Sequence, residues 1–589
     1  MSADRWPSSL RSLPVFAALI AAATLGAHAA DTTPPGDVAK ATAAARDSVV
    51  TLEWDNPTDA DFAGVLVLRH AGSAVPDAPV DGQSYSVGDT IGSSDVVCVT
   101  TSSETSCDDT GVTNGVEYHY KLCAFDGTLN YAGGVSTTGL PRALPYKWAF
   151  TTRAATLAPV GAIPSAYIVS VGNDRLLYRM AESDGRRAGW SPPEVSGAVQ
   201  ARPMVGDLNP AVPGSPDYTG FVSSQDGNLY RFDMSADSTA EGVAHVAQDA
   251  GCPSGALQAP AVVMLDAFDN NPNPDDDVVV VATRCPDSNG DGTANDNKIM
   301  LYSHDLSTLY DTYDGDWDGT GSADSPGLGV SNAAPRILYR DDTNNFVYVP
   351  FNPDGDDDES IVAIEVLAAN GSHTGPRFDI PVFSETRGLG SVDTDLVLFT
   401  FGYGNNHYLL FGASDGTGQG TLYLYDALTR TAGPGSPLKQ RGSIPSTDGP
   451  VKGVAVSTPV PLGNGFYEHW VVWSTDNQVH GVRIKPGTIR FDSSSRWDLT
   501  LPDDTDPATG PSAPIVLRWV GGTENTRAYV GASDGVLYEL DAKTGAIVRT
   551  WSVESGATLG SPTFDYNDGV HQGIVIGSTA GRVHWVSLD

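Results

Sequence analysis

Near its carboxyl end the chain reads Gly531-Ala532-Ser533-Asp534-Gly535-Val536-Leu537-Tyr538-Glu539-Leu540-Asp541-Ala542-Lys543-Thr544-Gly545-Ala546-Ile547-Val548-Arg549-Thr550-Trp551. Asp534-Gly535 is typical of a two-residue hairpin turn whose residues adopt positive φ. Val536 to Leu540 is predicted to alternate between the two faces of a half-buried strand. Asp541 to Gly545 is a second turn, in which the carboxylate accepts backbone N–H groups and the glycine is left-handed. Ile547 to Trp551 completes a three-strand unit, which cannot bury its apolar face without stacking on copies of itself.

Copies of this unit recur through the last three quarters of the chain. A proline preceded by a small or polar residue opens a strand at Ala158-Pro159, Arg202-Pro203, Ala259-Pro260, Ala334-Pro335, Thr458-Pro459, Ala513-Pro514 and Ser561-Pro562, and one further unit starts near Gly390-Ser391 without a proline. Proline at the first residue of a strand removes no hydrogen bond from the ladder. The third strands of the units are Arg175 to Tyr178, Asn228 to Asp233, Ile299 to Tyr302, Ser360 to Ile364, Thr421 to Asp426, Gln478 to Val482, Val536 to Tyr538 and Arg582 to Val586. Eight units of about four strands predict a β-propeller over residues 146–589.

The last unit has room for three strands before Asp589. Trp148-Ala149-Phe150-Thr151, which precedes the first unit, is expected to supply the missing strand and pair beside Arg582 to Val586. This pairing would close the ring and remove the sheet edges that an open array exposes.

An apolar strand pattern also marks residues 34–140 as a separate domain. Val49 to Trp54 and Gly64 to Arg69 are predicted strands, and a later strand is led by Tyr118. Trp54 and Tyr118 resemble the strand-B tryptophan and the tyrosine corner of the fibronectin type III sandwich. The resemblance implies a module that acts as a spacer or binds a partner.

Residues 1–30 have the pattern of a secretory signal peptide. Arg5 and Arg11 precede the apolar run Leu13 to Leu25, and Ala27-His28-Ala29 is a small-x-small cleavage site. The mature chain is expected to begin at Ala30 without an integral membrane segment, and the alternative is an amino-terminal anchor. The expected location is secreted, periplasmic or at the cell surface.

The charge balance restricts the partners. Asp and Glu number 72 against 34 Lys and Arg, which gives a net charge of −38. Nucleic acid and anionic membrane surfaces require clustered basic residues, so both are excluded as expected partners. A strongly acidic surface instead favours solubility and attracts divalent cations.

The five cysteines fit an oxidising compartment. Cys98 and Cys107 flank a short polar segment and are expected to pair. Cys252 and Cys285 bracket an apolar strand pair and form the second expected bridge. Cys123 remains, and it is interpreted as a small buried side chain in a strand.

Leu537 to Gly545, followed by Trp551, resembles the repeat of quinoprotein-type propellers, and partial matches occur at Leu229 to Asp233 and Leu422 to Thr429. This family includes dehydrogenases that use pyrroloquinoline quinone (PQQ), scaffolds of outer-membrane assembly and calcium-loop propellers at pilus tips. The dehydrogenases carry adjacent cysteines against the cofactor. Because no two cysteines are adjacent here, no PQQ and no catalytic residue are expected.

Two segments match the G-x-S-x-G pattern of serine hydrolases, Gly412 to Gly416 and Gly531 to Gly535. A hydrolase nucleophile occupies a turn between a strand and a helix. Both copies lie at the same point of two repeats, between two strands, so a recurring turn explains them.

Three loops that depart from the repeat are acidic. In the first, oxygen ligands at positions one, three and five with glycine at six are the arrangement that wraps Ca²⁺, and the second loop repeats the pattern. The third loop, Asn352 to Glu359, lacks that glycine. The predicted calcium ligands are Asp287, Asn289, Asp291, Thr293 and Asn295 in the first loop and Asp314, Asp316, Asp318 and Asp324 in the second.

Alternating strand directions place these three loops on one face of the propeller, because all are second-to-third-strand loops or connections between blades. The sequence therefore predicts an all-β protein, in which a fibronectin type III-like sandwich precedes an eight-bladed quinoprotein-like propeller. The expected function is an exported, non-catalytic binding or scaffold protein whose calcium-stiffened face presents to a protein or glycan. The alternatives are an enzyme with its site in the propeller channel and an outer-membrane assembly scaffold.

Overall fold

The computed structural model describes a nearly all-β chain. The described residues are 31–163, 166–187, 189–208, 217–235, 240–265, 277–286, 296–315, 328–339, 344–352, 359–368, 376–379, 383–386, 389–401, 406–430, 438–463, 466–502, 510–520, 523–566 and 572–589. The predicted signal peptide, residues 1–30, lies outside them. The strands fall into an amino-terminal sandwich and a succession of small antiparallel sheets, as the repeats predicted.

Two antiparallel sheets pack face to face in the sandwich. The first sheet has the order β4-β5-β3-β7-β8, and the second contains β1, β2 and β6. The strands are β1 (Ala39–Arg46), β2 (Val49–Asp55), β3 (Phe62–Ala71), β4 (Thr90–Ile91), β5 (Ser94–Val99), β6 (Ser106–Asp109), β7 (Tyr118–Asp126) and β8 (Val135–Gly139). Trp54, Tyr120 and Leu122 are fully buried between the sheets.

Both expected cysteine pairs are present. Cys98 on β5 pairs with Cys107 on β6, with their Cα atoms 6.6 Å apart, so this bridge joins the two sheets of the sandwich. Cys252 pairs with Cys285, with Cα atoms 5.7 Å apart. Cys123 is buried and unpaired. Burial raises the pKa of its thiol to about 11, in agreement with its interpretation as a packing residue.

The described part of the chain after Tyr146 forms eight antiparallel sheets, called sheets 1 to 8. Sheet 1 contains β10 (Gly161–Ile163), β11 (Tyr167–Val171) and β12 (Leu177–Ala181), and sheet 2 contains β13 (Met204–Asp207), β14 (Tyr218–Ser223), β15 (Leu229–Asp233) and β16 (Ala240–Ala244). A single helical turn, α1 (Val246–Asp249), follows, and sheet 3 contains β17 (Val262–Met264), β18 (Val278–Ala282), β19 (Ile299–Ser303) and β20 (Leu309–Tyr313). Sheet 4 contains β21 (Arg336–Leu338), β22 (Asn344–Pro350), β23 (Glu359–Leu367), β24 (Arg377–Phe378) and β25 (Phe383–Thr386).

The remaining four sheets continue the same order. Sheet 5 contains β26 (Val397–Thr400), β27 (His407–Ser414), β28 (Gly420–Arg430) and β29 (Leu438–Ser446). Sheet 6 contains β30 (Gly453–Val456), β31 (Val460–Gly463), β32 (Phe466–Ser474), β33 (Val479–Ile484) and β34 (Phe491–Leu499), and sheet 7 contains β35 (Ile515–Val520), β36 (Thr523–Gly531), β37 (Val536–Asp541) and β38 (Ile547–Ser552). Sheet 8 contains β39 (Thr563–Tyr566), β40 (Gln572–Gly577), β41 (Arg582–Ser587) and β9 (Tyr146–Thr151).

Sheet 6 departs from the prediction that its first strand opens at Thr458-Pro459. The strand begins earlier, at Gly453, and Pro459 precedes β31, which pairs with the other end of β32. A proline has no N–H for the ladder, so it lies at the break between the two segments.

The two turns predicted for the repeat unit at residues 531–551 have different outcomes in the structure. Gly535 adopts φ +79°, but Asp534 does not adopt positive φ, so the predicted two-residue turn is wrong. Ala532 and Val536 instead enclose a three-residue loop, closed by the hydrogen bond from Ala532 N to Val536 O. The second turn is as predicted, because Asp541 Oδ1 accepts the N–H groups of Lys543 and Thr544 at 2.9 and 3.0 Å.

The ring is closed by β9. β9 pairs antiparallel with β41, with Thr151 opposite Arg582, as the sequence predicted. Trp148, Phe150, Trp585 and Tyr178 pack together in the cluster that fills the gap between sheets 8 and 1. Similar apolar clusters fill the gaps between the other consecutive sheets. The propeller is therefore a closed array.

β9 also pairs with β1 of the sandwich, so sheet 8 continues into the sandwich in the order β39-β40-β41-β9-β1-β2-β6. Side chains reinforce the junction. Arg582 contacts Glu117 and donates to Thr138 Oγ1 at 2.7 Å, and Arg187 donates to Lys40 O at 3.0 Å. The sandwich is thus attached along a shared sheet rather than through a flexible spacer.

One carboxyl near the closure is destabilised by its surroundings. Asp565 on β39 is buried and accepts the indole N–H of Trp585 at 2.8 Å. Burial, followed by the nearby Glu182 carboxylate, raises its pKa to about 6. The charged form is therefore disfavoured in the folded protein, and this penalty is present above pH 6 and disappears as the pH falls towards 4.

We expect Asp565→Asn to stabilise the protein by about 2 to 3 kcal/mol at pH 8 and by almost nothing at pH 4, because the amide keeps the acceptor for Trp585 without the charge. Urea unfolding of the variant and the unmodified protein at both pH values measures this. Equal differences at pH 8 and pH 4 would contradict the expectation.

Candidate functional site: the channel mouth and the acidic loops

Most of the predicted calcium ligands lie outside the described residues. These are Asp287, Asn289, Asp291, Thr293 and Asn295 of the first loop and Asp316, Asp318 and Asp324 of the second. Asp314 is described and is partly buried at the end of β20, followed by Gly315 with φ +99°. Residues 353–358 of the third acidic loop are also outside the described part. The segments that enter and leave the three loops are described.

The bases of the first and second loops are joined through Asn297, whose side chain is buried. Asn297 Oδ1 accepts the N–H of Cys285, which precedes the first loop, at 2.6 Å. Asn297 Nδ2 donates to the carbonyl oxygen of Leu328, which follows the second loop, at 3.3 Å. Asp296 and Leu328 also form a parallel bridge. The end of the first loop therefore lies beside the end of the second.

The third loop starts next to the same segment. Asn352 N donates to Val330 O at 2.8 Å, and Asn352 immediately precedes residues 353–358. Asn352 Nδ2 also donates to Asp393 Oδ1 at 2.6 Å, and Asn332 Nδ2 donates to the same oxygen at 3.1 Å. The three acidic loops thus leave one hydrogen-bonded platform, formed by Cys285, Asn297, Leu328, Val330 and Asn352.

The disulfide bond supports this platform. Cys285 lies two residues before Asp287, and its bond to Cys252 ties the end of β18 to the segment that leads into β17. The backbone bridge between Ala256 and Arg284 runs alongside. The entry of the first acidic loop is held covalently as well as by hydrogen bonds.

The platform lies at the mouth of a central channel. A cavity of about 480 Å³ opens where the first strands of the eight sheets begin. Its lining includes Pro159, Arg202, Pro260, Asn332, Asp395, Lys452, Pro514 and Pro562, one residue from the segment that leads into the first strand of each sheet. Asp393 belongs to this lining and accepts the hydrogen bond from Asn352 of the platform, so the platform and the channel mouth share one face.

Charged side chains meet inside the channel. A guanidinium nitrogen of Arg202, which leads into sheet 2, lies 4.0 Å from Asp395 Oδ2, which leads into sheet 5. Arg336 of sheet 4 lies 3.8 Å from the same oxygen, and its Nε donates to Leu396 O at 2.6 Å. Burial lowers the pKa of Arg336, whereas the negative charge of Asp395 raises it and the positive charge of Arg202 lowers it. Lys452 pairs with Asp476 at 3.2 Å.

Sequence reasoning missed Arg202, Arg336, Asp393 and Asp395 as site residues. A signal was available for Arg202. Arg202 was grouped with the small and polar residues that precede the repeat proline, although it is the one charged residue in that set. Asp393 and Asp395 lie in the unit that lacks the proline, so no repeat position marked them.

The two G-x-S-x-G segments form turns between strands. Ser414 ends β27, and Ser533 lies in the loop between β36 and β37. The recurrence of the turn explains both segments, as the sequence indicated.

No protein-family model and no curated protein matches the sequence. Solved structures that resemble the chain include a computationally designed protein, Ika8, with 15% identity, 74% of this chain and 97% of that chain covered, and a TM-score of 0.43. BamB from Moraxella catarrhalis has 15% identity over 74% of this chain and 97% of its own, with a TM-score of 0.41. The propeller of Dos1 has 13% identity over 75% and 94%, with a TM-score of 0.43. At these values the likenesses carry no functional conclusion.

Across the described part of the chain, no helix has the length and apolarity needed to cross a membrane.

Proposed function

We propose that the chain is an exported, non-catalytic binding or scaffold protein, whose eight-bladed propeller presents a calcium-stiffened face to a protein or glycan partner. The observation that carries the proposal is the shared platform of the acidic loops. Three loops rich in carboxylates leave one hydrogen-bonded set of residues around the channel mouth. Such an arrangement concentrates oxygen ligands on a single face while the ring beneath it stays rigid.

Calcium is the cation that fits these loops. Ca²⁺ takes six to eight oxygen ligands from carboxylates, amides and backbone carbonyls. In the proposal Asp287, Asn289, Asp291 and the carbonyl of Thr293 bind one ion, with Asn295 or Asp296 closing the shell. Asp314, Asp316, Asp318 and Asp324 bind a second ion. Carboxylates held within one short loop repel each other, so cation binding would order the loops.

The remaining parts of the proposal concern the amino-terminal region and the compartment. We assign residues 34–140 to a fibronectin type III-like module, because Tyr118 Oη accepts the backbone N–H of Thr113 at 3.0 Å, the contact of a tyrosine corner. Residues 1–30 act as an export signal in this proposal. The two cysteine pairs support an oxidising compartment outside the cytoplasm.

The proposal is tested by the melting temperature of the mature chain in calcium and in chelator. Native-state binding stabilises by about 2.7 kcal/mol when free calcium is one hundred times Kd, which raises the melting temperature of a protein this large by roughly a few degrees. The double variant Asp291→Ala/Asp318→Ala should lose this increase.

A matched control is Asp275→Ala/Asp276→Ala, which removes two carboxylates from the connection between β17 and β18, outside the three acidic loops. This control should keep the full calcium effect. The same melting temperature in calcium and in chelator for the unmodified chain would overturn the calcium part of the proposal, as would an equal loss in both double variants.

A further inference from the structure

Two arginines in the central channel replace residues that are small or apolar in the other repeats. The residue before the repeat proline is Arg202 in the second unit, whereas the other motifs that open a first strand have Ala158, Ala259, Ala334, Ala513 and Ser561. The residue after the proline is Arg336 in the fourth unit, whereas the others have Val160, Met204, Ala261, Ile515 and Thr563. The repeat does not require a charge at either position, so packing of the repeat does not explain the arginines.

The two guanidinium groups share one carboxylate without forming direct hydrogen bonds to it. Both lie 3.8 to 4.0 Å from Asp395 Oδ2, whereas a guanidinium–carboxylate hydrogen bond is about 2.7 to 2.9 Å long. Asp395 Oδ1 is occupied by the N–H of Ala334 at 2.9 Å. Among the described residues, the cavity is lined by three cationic side chains, Arg202, Arg336 and Lys452, and by two carboxylates, Asp393 and Asp395, in a chain whose net charge is −38.

The same cavity is also lined by a hydrogen-bond acceptor that has no donor. Gln258 Oε1 is buried, and among the described residues it has no hydrogen-bond partner. An unpaired acceptor in a cavity is costly unless a ligand or water donates to it. A ligand that satisfies the channel thus carries an anionic group for the arginines and a hydroxyl group for Gln258.

We propose that the channel mouth binds the carboxylate of a small hydroxy acid, of the size and chemistry of a sugar acid. Arg202 and Arg336 bind the carboxylate, because their planar N–H groups match its two oxygens. Gln258 accepts a hydroxyl hydrogen. The cavity of about 480 Å³ has room for one monosaccharide. This site does not depend on calcium binding by the acidic loops, so either proposal can fail without the other.

A purely structural role for the arginines is the competing explanation, in which they tie sheets 2, 4 and 5 together through Asp395. The contact distances weigh against it, because neither guanidinium lies within hydrogen-bond distance of Asp395 Oδ2. A bound anion between the two groups would supply the direct hydrogen bonds that Asp395 does not. Binding measurements separate the two explanations.

The experiment is calorimetric titration of the mature chain with D-glucuronate, with D-glucose as the uncharged counterpart and inorganic phosphate as an anion without the sugar hydroxyls. Saturable binding of D-glucuronate and none of D-glucose is the expected result. Arg202→Ala and Arg336→Met should each weaken D-glucuronate binding at least tenfold. Each substitution introduces a residue that a sister repeat carries at the same position relative to its proline, such as Ala259 and Met204, so the fold should persist.

Arg175→Ala is the matched control, because Arg175 forms a surface ion pair with Glu194 outside the channel and is half exposed. It should leave D-glucuronate binding unchanged. Gln258→Leu keeps every charge. It should weaken the binding of D-glucuronate several-fold and leave the affinity for phosphate unchanged. No saturable D-glucuronate binding, or equal binding by Arg202→Ala and the unmodified chain, would overturn the proposal. Phosphate binding as tightly as D-glucuronate would overturn the assignment to a hydroxy acid.

Discussion

Trp148→Ala is expected to lower the free energy of unfolding by about 3 to 5 kcal/mol, the usual cost of deleting a buried large aromatic side chain. Trp148 is 1% exposed and lies on β9, the strand that both closes the ring and joins the sandwich. Its indole N–H donates to Glu182 O at 2.9 Å in sheet 1. Removal of the side chain therefore weakens the contacts of β9 with β41, with the sandwich and with sheet 1. Urea unfolding followed by circular dichroism measures the loss.

Trp473→Ala provides the control for position. Trp473 is fully buried and packs between sheets 5 and 6, away from the closure. Both variants should lose stability, but only Trp148→Ala should reduce hydrogen-exchange protection in β9 and β41 together. Equal protection of those two strands in both variants would contradict the role assigned to β9.

Glu554→Gln is expected to cost about 3 kcal/mol at neutral pH. The carboxylate is buried between Arg582, His584 and Ser578, and it accepts the Ser578 hydroxyl at 2.5 Å. Burial alone would disfavour its charge, but the hydrogen bond from His584 and the neighbouring positive charges hold its pKa at about 2. A difference of this size from the ordinary value of 4.5 corresponds to about 3 kcal/mol.

The sign of this contribution fixes its pH dependence. Because the pKa is lowered in the folded state, the stabilisation is fully present above pH 4.5 and is lost as the pH falls towards 2. The difference between the unmodified chain and Glu554→Gln should therefore shrink between pH 5 and pH 2. Glu194→Gln, which removes half of an exposed ion pair, should change stability by less than about 0.5 kcal/mol at any of these pH values. A difference in stability between the unmodified chain and Glu554→Gln that stays constant with pH would contradict the stabilising role of the Glu554 carboxylate.

The propeller was predictable because its signal is local and repeated. Third strands such as Thr421 to Asp426 and Arg582 to Val586 have alternating side chains and defined turns, and the structure places strands there. The turn at Asp534-Gly535 was predicted with one residue too few, since a dipeptide motif does not distinguish a two-residue loop from a three-residue one. The sequence did not reveal that Pro459 precedes β31 rather than the first strand of sheet 6. A proline indicates a strand boundary but does not identify the strand that begins there.

The site was predictable only in part, because channels are formed by residues distant in sequence. The common face of the acidic loops followed from strand direction alone, and the Asn297 and Asn352 contacts place their bases together. The meeting of Arg202 with Asp395 depends on the curvature that brings sheets 2 and 5 towards each other, which no local pattern records. The pairing of β9 with β1 was not predicted either, because strand pairing between two domains produces no periodic pattern in the sequence.

The position of β9 has a consequence for the order of folding. Thr152, at its end, bonds to Gly581, 429 residues further along the chain. Joining such distant segments is entropically costly and slow. Until it happens, an unpaired strand edge can pair with the wrong strand. Because β1 is much nearer to β9 in sequence than β41 is, the sandwich can pair with one edge of β9 early and keep the other edge aligned until β41 is in place. In this view the amino-terminal domain serves as a template on which the last blade is completed.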